Sequence, residues 1–112
     1  MKRLHIAIAP HDIAATVSDY SRRLGCGPSL VVPGEYALWR TDTLNFSVRQ
    51  DATCQPGELR HLGWDDDDAA TFTTETDCNG IVWEHFAAHH QAAEITEIWP
   101  DTHYVPEAVP NE

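Results

Sequence analysis

The chain opens with a segment, residues 3–9, in which apolar side chains alternate with small or polar ones. Leu4, Ile6 and Ile8 fall on one side, and His5 falls on the other side together with two alanines. A period of two predicts a β-strand with one face in the core. The small residues leave space beside the histidine, so the second face is a candidate wall for a cleft.

The pattern then changes to the period of 3.6 that is typical of an amphipathic helix. Asp12 is a favourable N-cap, and Gly25 suits the position that follows a helix. The sequence therefore predicts a helix over residues 12–24, with an apolar stripe formed by Ile13, Val17, Tyr20 and Leu24.

Three short strands are predicted next, because apolar and β-branched residues recur between turn-forming sequences. They cover residues 29–32, 36–40 and 44–49. The last of them has an apolar face and a polar face, and the polar face carries Asn45, Ser47 and Arg49. The first half of the chain thus has the predicted order β-α-β-β-β.

The second half is predicted to contain two strands, over residues 59–64 and 81–86. A segment without periodicity, residues 51–58, forms a linker in front of them. The acidic run over residues 65–68 is expected to be a solvated loop, followed at most by a short helix over residues 68–73.

The period of 3.6 returns near the C-terminus and predicts a helix over residues 87–99, which Pro100 ends. Its apolar stripe is formed by Ala88, Ala92, Ile95 and Trp99. Together these elements predict one α+β domain over residues 1–100, with a mixed sheet curled around a cleft. Residues 101–112 form an acidic tail, which is expected to be extended or disordered.

Composition narrows the possible partners and the location. The net charge of −11 with neutral histidines would repel phosphate backbones, so nucleic acid is not an expected partner. No segment reaches the roughly 20 apolar residues of a membrane span, and the N-terminus has no signal-peptide pattern. The three widely spaced cysteines do not suggest a disulfide framework. These features predict a cytoplasmic protein without a membrane partner.

Three of the predicted strands each carry one side chain that is able to bind a metal, namely His5, His61 and Glu84. Two imidazoles and a carboxylate suffice for a divalent ion with open coordination positions. The three residues are far apart in sequence, so only the fold can bring them together. Glu84 also lies between Val82 and Phe86 on its strand face, where an unpaired carboxylate needs a cation or access to water.

The order β-α-β-β-β, then a linker and a strand with a histidine, resembles the vicinal oxygen chelate superfamily. This group includes glyoxalase I, the bleomycin-resistance proteins and the extradiol dioxygenases. Its members pair two such modules around a cleft and take metal ligands from the first and last strands of each module. His5 and His61 match the ligands on the two first strands. Gly80, followed after three residues by Glu84, matches the family's closing strand and makes Glu84 the third ligand.

The resemblance covers residues 3–86 and departs from the family pattern in one large respect. Between His61 and Glu84 there is no room for a helix and two more strands, so the second module is expected to be truncated to two metal-bearing strands. The family's ligand position on the fourth strand falls on Asn45 or Ser47. Asn45 would be a weak ligand, and Ser47 would be a poor one.

The resemblance implies a metal-dependent enzyme for a small molecule with adjacent oxygens, acting as a lyase, an isomerase or a dioxygenase. One ion of nickel, zinc, manganese or iron would be bound, and Glu84 is the candidate catalytic base. The alternative is a metal-free protein that binds a small molecule or drug in the same cleft, as some members do. Metal content distinguishes the two.

Several further side chains have both a functional and a structural interpretation. The four tryptophans are expected in the core, in a dimer contact or against a ligand, with Trp39 as the first candidate for stacking on a ligand. Arg49 is a candidate for binding a substrate carboxylate, or has a surface role. His85 and His89 have the spacing of a helical metal pair, but His85 lies on a predicted strand, so both are expected to face solvent.

A truncated second module would leave strand edges and apolar surface uncovered, and exposed edges need to be paired or covered. A homodimer is therefore expected, as the resemblance also implies. The contact would be formed by strand edges or by the stripe of the C-terminal helix, unless that helix folds back onto its own sheet.

Overall fold

The computed structural model describes residues 1–106 of the chain. Within this range the backbone forms seven strands, two α-helices and a short 3-10 helix at Pro100–Thr102. In chain order the elements are β1 (Lys2–Ile8), α1 (Ile13–Leu24), β2 (Leu30–Val32), β3 (Tyr36–Arg40), β4 (Leu44–Arg49), β5 (Leu59–Asp66), β6 (Thr73–Thr76), β7 (Val82–Phe86) and α2 (Ala88–Ile98). The predicted bounds of both helices and of six strands are confirmed to within two residues at each end. The remaining strand, β6, was not predicted.

Helix α1 begins and ends where the sequence predicts. Asp12 caps the N-terminus, because its Oδ1 accepts a hydrogen bond of 2.8 Å from the backbone N–H of Ala15. Gly25 follows the last turn with a φ of 75°, and its N–H donates to the carbonyl of Ser21 at 3.0 Å. A residue without a Cβ atom adopts this left-handed conformation at little cost.

All seven strands belong to one mixed sheet with the order β2-β3-β4-β1-β5-β7-β6. Strand β1 runs parallel to β4 and antiparallel to β5, so it lies in the middle of the sheet. Strand β7 runs parallel to β5 and antiparallel to the edge strand β6. The α+β class is thus confirmed for the part of the chain that the structure describes.

The two faces of the sheet are covered by different helices. Successive residues of a strand point to opposite faces, so Ala37 and Trp39 of β3 pack under α1, whereas Tyr36 and Leu38 pack toward α2. All four side chains are buried. Strand β3 therefore lies between the two helices. Its register with β4 determines which face of the sheet points toward α2.

The predicted short helix over residues 68–73 is wrong. Residues Thr73–Thr76 instead form β6, which pairs with β7 along the edge of the sheet. Threonine is β-branched, which disfavours a helix and favours a strand. The second half of the sheet therefore has three strands, and the expectation that it is truncated to two strands is also wrong.

The acidic run is not a solvated loop throughout its length. Asp65 and Asp66 extend β5, and both side chains are buried. Asp65 accepts a hydrogen bond of 2.8 Å from the Arg40 guanidinium, and Asp66 lies 2.8 Å from Nε2 of the half-exposed His85. These partners compensate in part for the loss of water around the two carboxylates, since Oδ1 of Asp65 has no hydrogen-bond partner among the described residues. They come from other strands, so the local sequence does not reveal them.

Helix α2 folds back onto its own sheet. Ile95 is buried against Tyr36, and the ring of Trp99 lies 5.0 Å from the ring of Tyr36. Of the alternatives left open for the apolar stripe of α2, the structure therefore shows the one in which the helix folds back within the chain. Tyr104 packs on the same cluster, four residues beyond the predicted end of the domain. The rest of the predicted tail, residues 107–112, lies outside the described residues.

Neither helix of residues 1–106 combines the length and the hydropathy needed to cross a membrane.

Candidate metal centre

One row of paired residues crosses the middle of the sheet. Asn45 of β4 pairs with His5 of β1, His5 pairs with Gly63 of β5, and Gly63 pairs with Glu84 of β7. Residues opposite each other in neighbouring strands point to the same face. His61 points to that face as well, because it precedes Gly63 by two positions on β5. The three predicted metal ligands therefore share the face that α2 covers.

The ligand atoms of these residues converge. Nε2 of His5 lies 3.0 Å from Nε2 of His61 and 3.8 Å from Oε1 of Glu84. Oε1 of Glu84 lies 3.0 Å from Nε2 of His61. Two ligands at about 2.1 Å from one ion are separated by at most about 4.2 Å, so a single ion can reach all three atoms. The donor set and its spacing fit one divalent metal.

Gly63 lies between His5 and Glu84 in this row and allows their side chains to approach each other. A Cβ atom at this position would lie 3.0 Å from the carbonyl carbon of Glu84 and closer still to the carbonyl oxygen. Neither atom belongs to a flexible side-chain end, so β7 would have to shift to admit it. The missing side chain also leaves the space between His5 and Glu84 free for a ligand.

Asn45 orients the ring of His5 through a contact with Nδ1, the ring nitrogen that does not face the other two ligands. Its Oδ1 lies 2.9 Å from Nδ1 of His5, so the ring donates its Nδ1–H to the amide and keeps the Nε2 lone pair for a metal. The amide nitrogen of Asn45 donates to Asp65 at 2.9 Å and to Gln91 at 2.8 Å, which fixes the orientation of the amide. Asn45 is fully buried and does not line the cavity, so its predicted role as a weak ligand or a substrate contact is wrong.

The electrostatic environment favours the neutral form of His5. Burial lowers the pKa of this ring below its ordinary value of 6.5, and the neighbouring His61 lowers it further. The hydrogen bonds to Asn45 and the charge of Glu84 raise the pKa, but by less. A neutral imidazole is the form that binds a metal, so His5 needs to release no proton near neutral pH to accept an ion.

A cavity of about 140 Å³ lies between α2 and the face of the sheet that carries His5, His61 and Glu84. The predicted residues Ser47 and Arg49 line it, next to His5, His61 and Glu84. An engineered cavity of about 150 Å³ holds benzene. The volume therefore suits a small organic molecule rather than a polymer.

Trp39, the first candidate for a ligand contact, lies on the wrong face. It pairs with Phe46, which is the neighbour of Asn45 on β4 and therefore points away from the cavity. Its ring is fully buried under α1, 6.0 Å from the ring of Tyr20. Trp99 is the tryptophan that lines the cavity, so the choice of Trp39 for that place is wrong.

The residues that α2 and the start of β5 contribute to the cavity wall were not predicted from the sequence. Gln91 and Glu94 come from α2, and Arg60 comes from the start of β5. Partial burial raises the pKa of the Glu94 carboxyl, and the charge of Glu84 raises it further. One signal was available, because Gln91 precedes Ile95 by four residues and therefore shares the buried face of the helix.

Comparisons with known proteins give information on the fold only. Neither a protein-family model nor a curated protein matches the chain. Among solved structures, the chain is similar to one in the crystal structure of the NAD-dependent benzaldehyde dehydrogenase from Legionella pneumophila. The match has a TM-score of 0.53 at 10% identity and covers 75% of this chain and 97% of that chain. At this identity the similarity concerns the backbone arrangement and carries no activity over to this protein.

Proposed function

We propose that this protein is a metal-dependent enzyme of the vicinal oxygen chelate type, acting on a small molecule with two adjacent oxygens. The observation that carries the proposal is the convergence of the ligand atoms of His5, His61 and Glu84, which lie 3.0–3.8 Å from one another at the wall of a cavity. Three protein ligands leave positions open for water or substrate. Nickel, zinc, manganese and iron all accept two imidazoles and a carboxylate.

The strand order supports the resemblance on which the reaction class rests. In the first half, β1 is parallel to β4, and β4 is antiparallel to β3. In the second half, β5 is parallel to β7, and β7 is antiparallel to β6. The halves thus repeat one arrangement and meet through the antiparallel pair β1 and β5. This is the relationship expected of two modules, the second of which lacks a helix and one strand.

The metal, when bound, would act as a Lewis acid toward the two substrate oxygens. His5 and His61 would hold it through Nε2, with His5 oriented by Asn45. Proton transfer needs a base close to the substrate. Glu84 is one candidate, and Glu94 is a second, since it lines the same cavity and its raised pKa increases its proton affinity.

A metal-free binding protein is the second candidate function, and one observation favours it. His5 and His61 are within hydrogen-bonding distance of each other at 3.0 Å, and Glu84 is 3.0 Å from His61. The Nε2–H of His61 can therefore donate to Glu84 or to the Nε2 lone pair of His5, so the cluster is held together in part without an ion. In that case the cavity beside them would bind a small molecule without transforming it.

Metal analysis of the purified protein tests the proposal. We expect about one equivalent of a tightly bound divalent metal by elemental mass spectrometry, removal by a chelator, and re-binding in a calorimetric titration. Protein that purifies without metal and takes up neither zinc nor nickel nor manganese nor ferrous iron would contradict the enzyme class. In that case a metal-free protein that binds a small molecule would be the better description of this chain.

The assembly and the location are also proposals. Strand β6 is exposed along its whole length at one edge of the sheet, and Trp64 on β5 is 38% exposed. An open edge of this kind is suited to pairing with a second chain, so we expect a homodimer. All three cysteines are free, which agrees with a reducing cytoplasm.

A further inference from the structure

The guanidinium of Arg49 is a charged group in the cavity to which the proposed function gives no role. It lines the cavity wall and lies over the indole of Trp99, 5.4 Å from the ring centroid. Among residues 1–106, no carboxylate lies within 4.0 Å of it, whereas the other cavity arginine, Arg60, is 3.4 Å from Asp51. Glu94 faces the same cavity and influences Arg49 through space, but it forms no ion pair with it.

An arginine without an ion-pair partner is unexpected in this chain. The net charge is −11, so carboxylates greatly outnumber cations over the whole chain. The cation–π contact with Trp99 helps to hold the guanidinium in place, and its N–H groups have no carboxylate partner among residues 1–106. A guanidinium held in this way is suited to bind a carboxylate through two parallel hydrogen bonds.

The sheet register gives the separation between this group and the metal ligands. Ser47 of β4 and His61 of β5 both pair with Ala7 of β1. Strands β4 and β5 flank β1, so Ser47 and His61 are about 10 Å apart across the sheet, and Arg49 lies about 7 Å further along β4. The Cα atoms of Arg49 and His61 are therefore roughly 12 Å apart. Both long side chains line the same cavity, which thus has the cluster of ligand atoms at one end and a cation at the other.

We propose that Arg49 and Trp99 form a carboxylate subsite, so that the substrate is a small organic acid with its vicinal oxygens at one end and a carboxylate at the other. This inference rests on the proposed function for the end that binds the metal. The cavity volume of about 140 Å³ limits the acid to a few carbon atoms beyond the vicinal oxygens.

A matched pair of ligands tests the subsite in zinc-loaded protein. The monohydroxamate of succinic acid presents two adjacent oxygens, a two-carbon spacer and a carboxylate, and its amide analogue replaces the carboxylate by a neutral group of equal size. We expect calorimetry to give an affinity about tenfold higher for the acid, since a charge-assisted bidentate pair is stronger than a neutral one. Equal affinities in the wild-type protein would overturn the subsite, and this comparison needs no variant.

Variants then assign the preference to Arg49. In Arg49→Gln the ratio of the two affinities should fall to about one, while the affinity for the amide stays the same. Arg22→Gln makes the same change in net charge at an exposed position of α1, where Arg22 pairs with Asp19 at 2.7 Å, and should keep the preference. An equal loss in both variants would show a general charge effect and would overturn the assignment.

A metal-free measurement separates failure of the subsite from failure of the proposed function. Propionate, but not propionamide, should shift the NMR signal of the Trp99 indole in protein treated with a chelator. If the protein takes up no zinc but propionate still shifts this signal, the subsite stands and the metal function fails. If both hydroxamates bind equally to the zinc form and propionate leaves Trp99 unchanged, the metal function stands and the subsite fails.

Discussion

Nε2 of His5 lies 3.8 Å from Oε1 of Glu84, although a complete strand separates the two residues in the sheet. The residue between them is Gly63, which pairs with both. A side chain at this position would occupy the space over β5, and its Cβ atom would collide with the backbone of Glu84. The glycine therefore allows β1 and β7, which are separated by β5, to contribute ligands to the same site.

Gly63→Ala is expected to damage both the fold and the site. The added methyl group forces β5 and β7 apart, which should lower the free energy of unfolding by about 1–3 kcal/mol, as overpacking does elsewhere. Gly27→Ala is the matched control, because a Cβ atom at Gly27 has open space and its φ lies outside the left-handed range. Urea unfolding checks both variants. Equal stability of the two would contradict the role given to Gly63.

Removing any of the three ligands should abolish tight metal binding. His5→Ala, His61→Ala and Glu84→Gln each take one donor from a set of three, and we expect a loss larger than the roughly 10–100-fold that loss of a supporting partner costs. His11→Ala, at an exposed position, should bind metal as the wild-type protein does. Zinc titrations monitored by calorimetry measure the difference. Unchanged affinity in two of the three ligand variants would exclude this site.

Asn45→Ala tests the supporting hydrogen bond. Without the amide oxygen, His5 loses the nearer acceptor of its Nδ1–H, at 2.9 Å, and keeps the backbone carbonyl of residue 45 at 3.1 Å. Zinc affinity should therefore fall by about 10-fold, the lower end of the cost of losing a supporting partner. The exposed Gln50→Ala, just beyond β4, serves as the control and should have no effect. A zinc affinity of Asn45→Ala equal to that of the control would mean that Asn45 has only a packing role.

The metal-free protein should lose stability as the pH falls below about 6.5. The folded-state pKa of His5 is lowered by burial and by His61, so the unfolded chain binds a proton that folded His5 does not. This stabilising contribution is complete above the unfolded pKa and is lost as the pH falls toward the lowered pKa. Urea unfolding between about pH 7.5 and about pH 5 measures it.

His5→Gln provides the comparison for the pH series. The variant has no imidazole at this position, so its stability should change less over the same range. The carboxylates of Asp19, Asp51, Asp66 and Asp77 have lowered pKa values and therefore titrate at more acidic pH. A pH dependence of identical slope in both proteins would show that another group is responsible.

Light scattering at micromolar concentration should give the mass of a dimer, twice the 12.5 kDa of one chain. Because Ile95 is buried within its own chain, the contact is expected at the β6 edge or beside the exposed Trp64. A charged substitution in the middle of β6, Thr74→Lys, should shift the mass toward the monomer. Thr43→Lys, in the exposed turn before β4, is the control. A mass of one chain for the wild-type protein would contradict the dimer.

The sequence by itself determined the elements that rest on local periodicity and on short-range chemistry. The stripe from Ile13 to Leu24, capped by Asp12 and Gly25, predicts α1 because every contact that defines its limits lies within a few residues. The alternation around His5 predicts β1 in the same way. The resemblance then selected His5, His61 and Glu84, and the structure brings these three residues together.

Other features were decided by the tertiary structure. The face on which Trp39 lies depends on its pairing with Phe46, and the burial of Asp65 depends on Arg40 from another strand. The polar face of β4 identified Asn45, but only the position of His5 on the neighbouring strand makes Asn45 a support rather than a ligand. Which strands pair, and in which register, depends on residues from distant parts of the chain, and a shift by one residue would reverse every side chain of a strand.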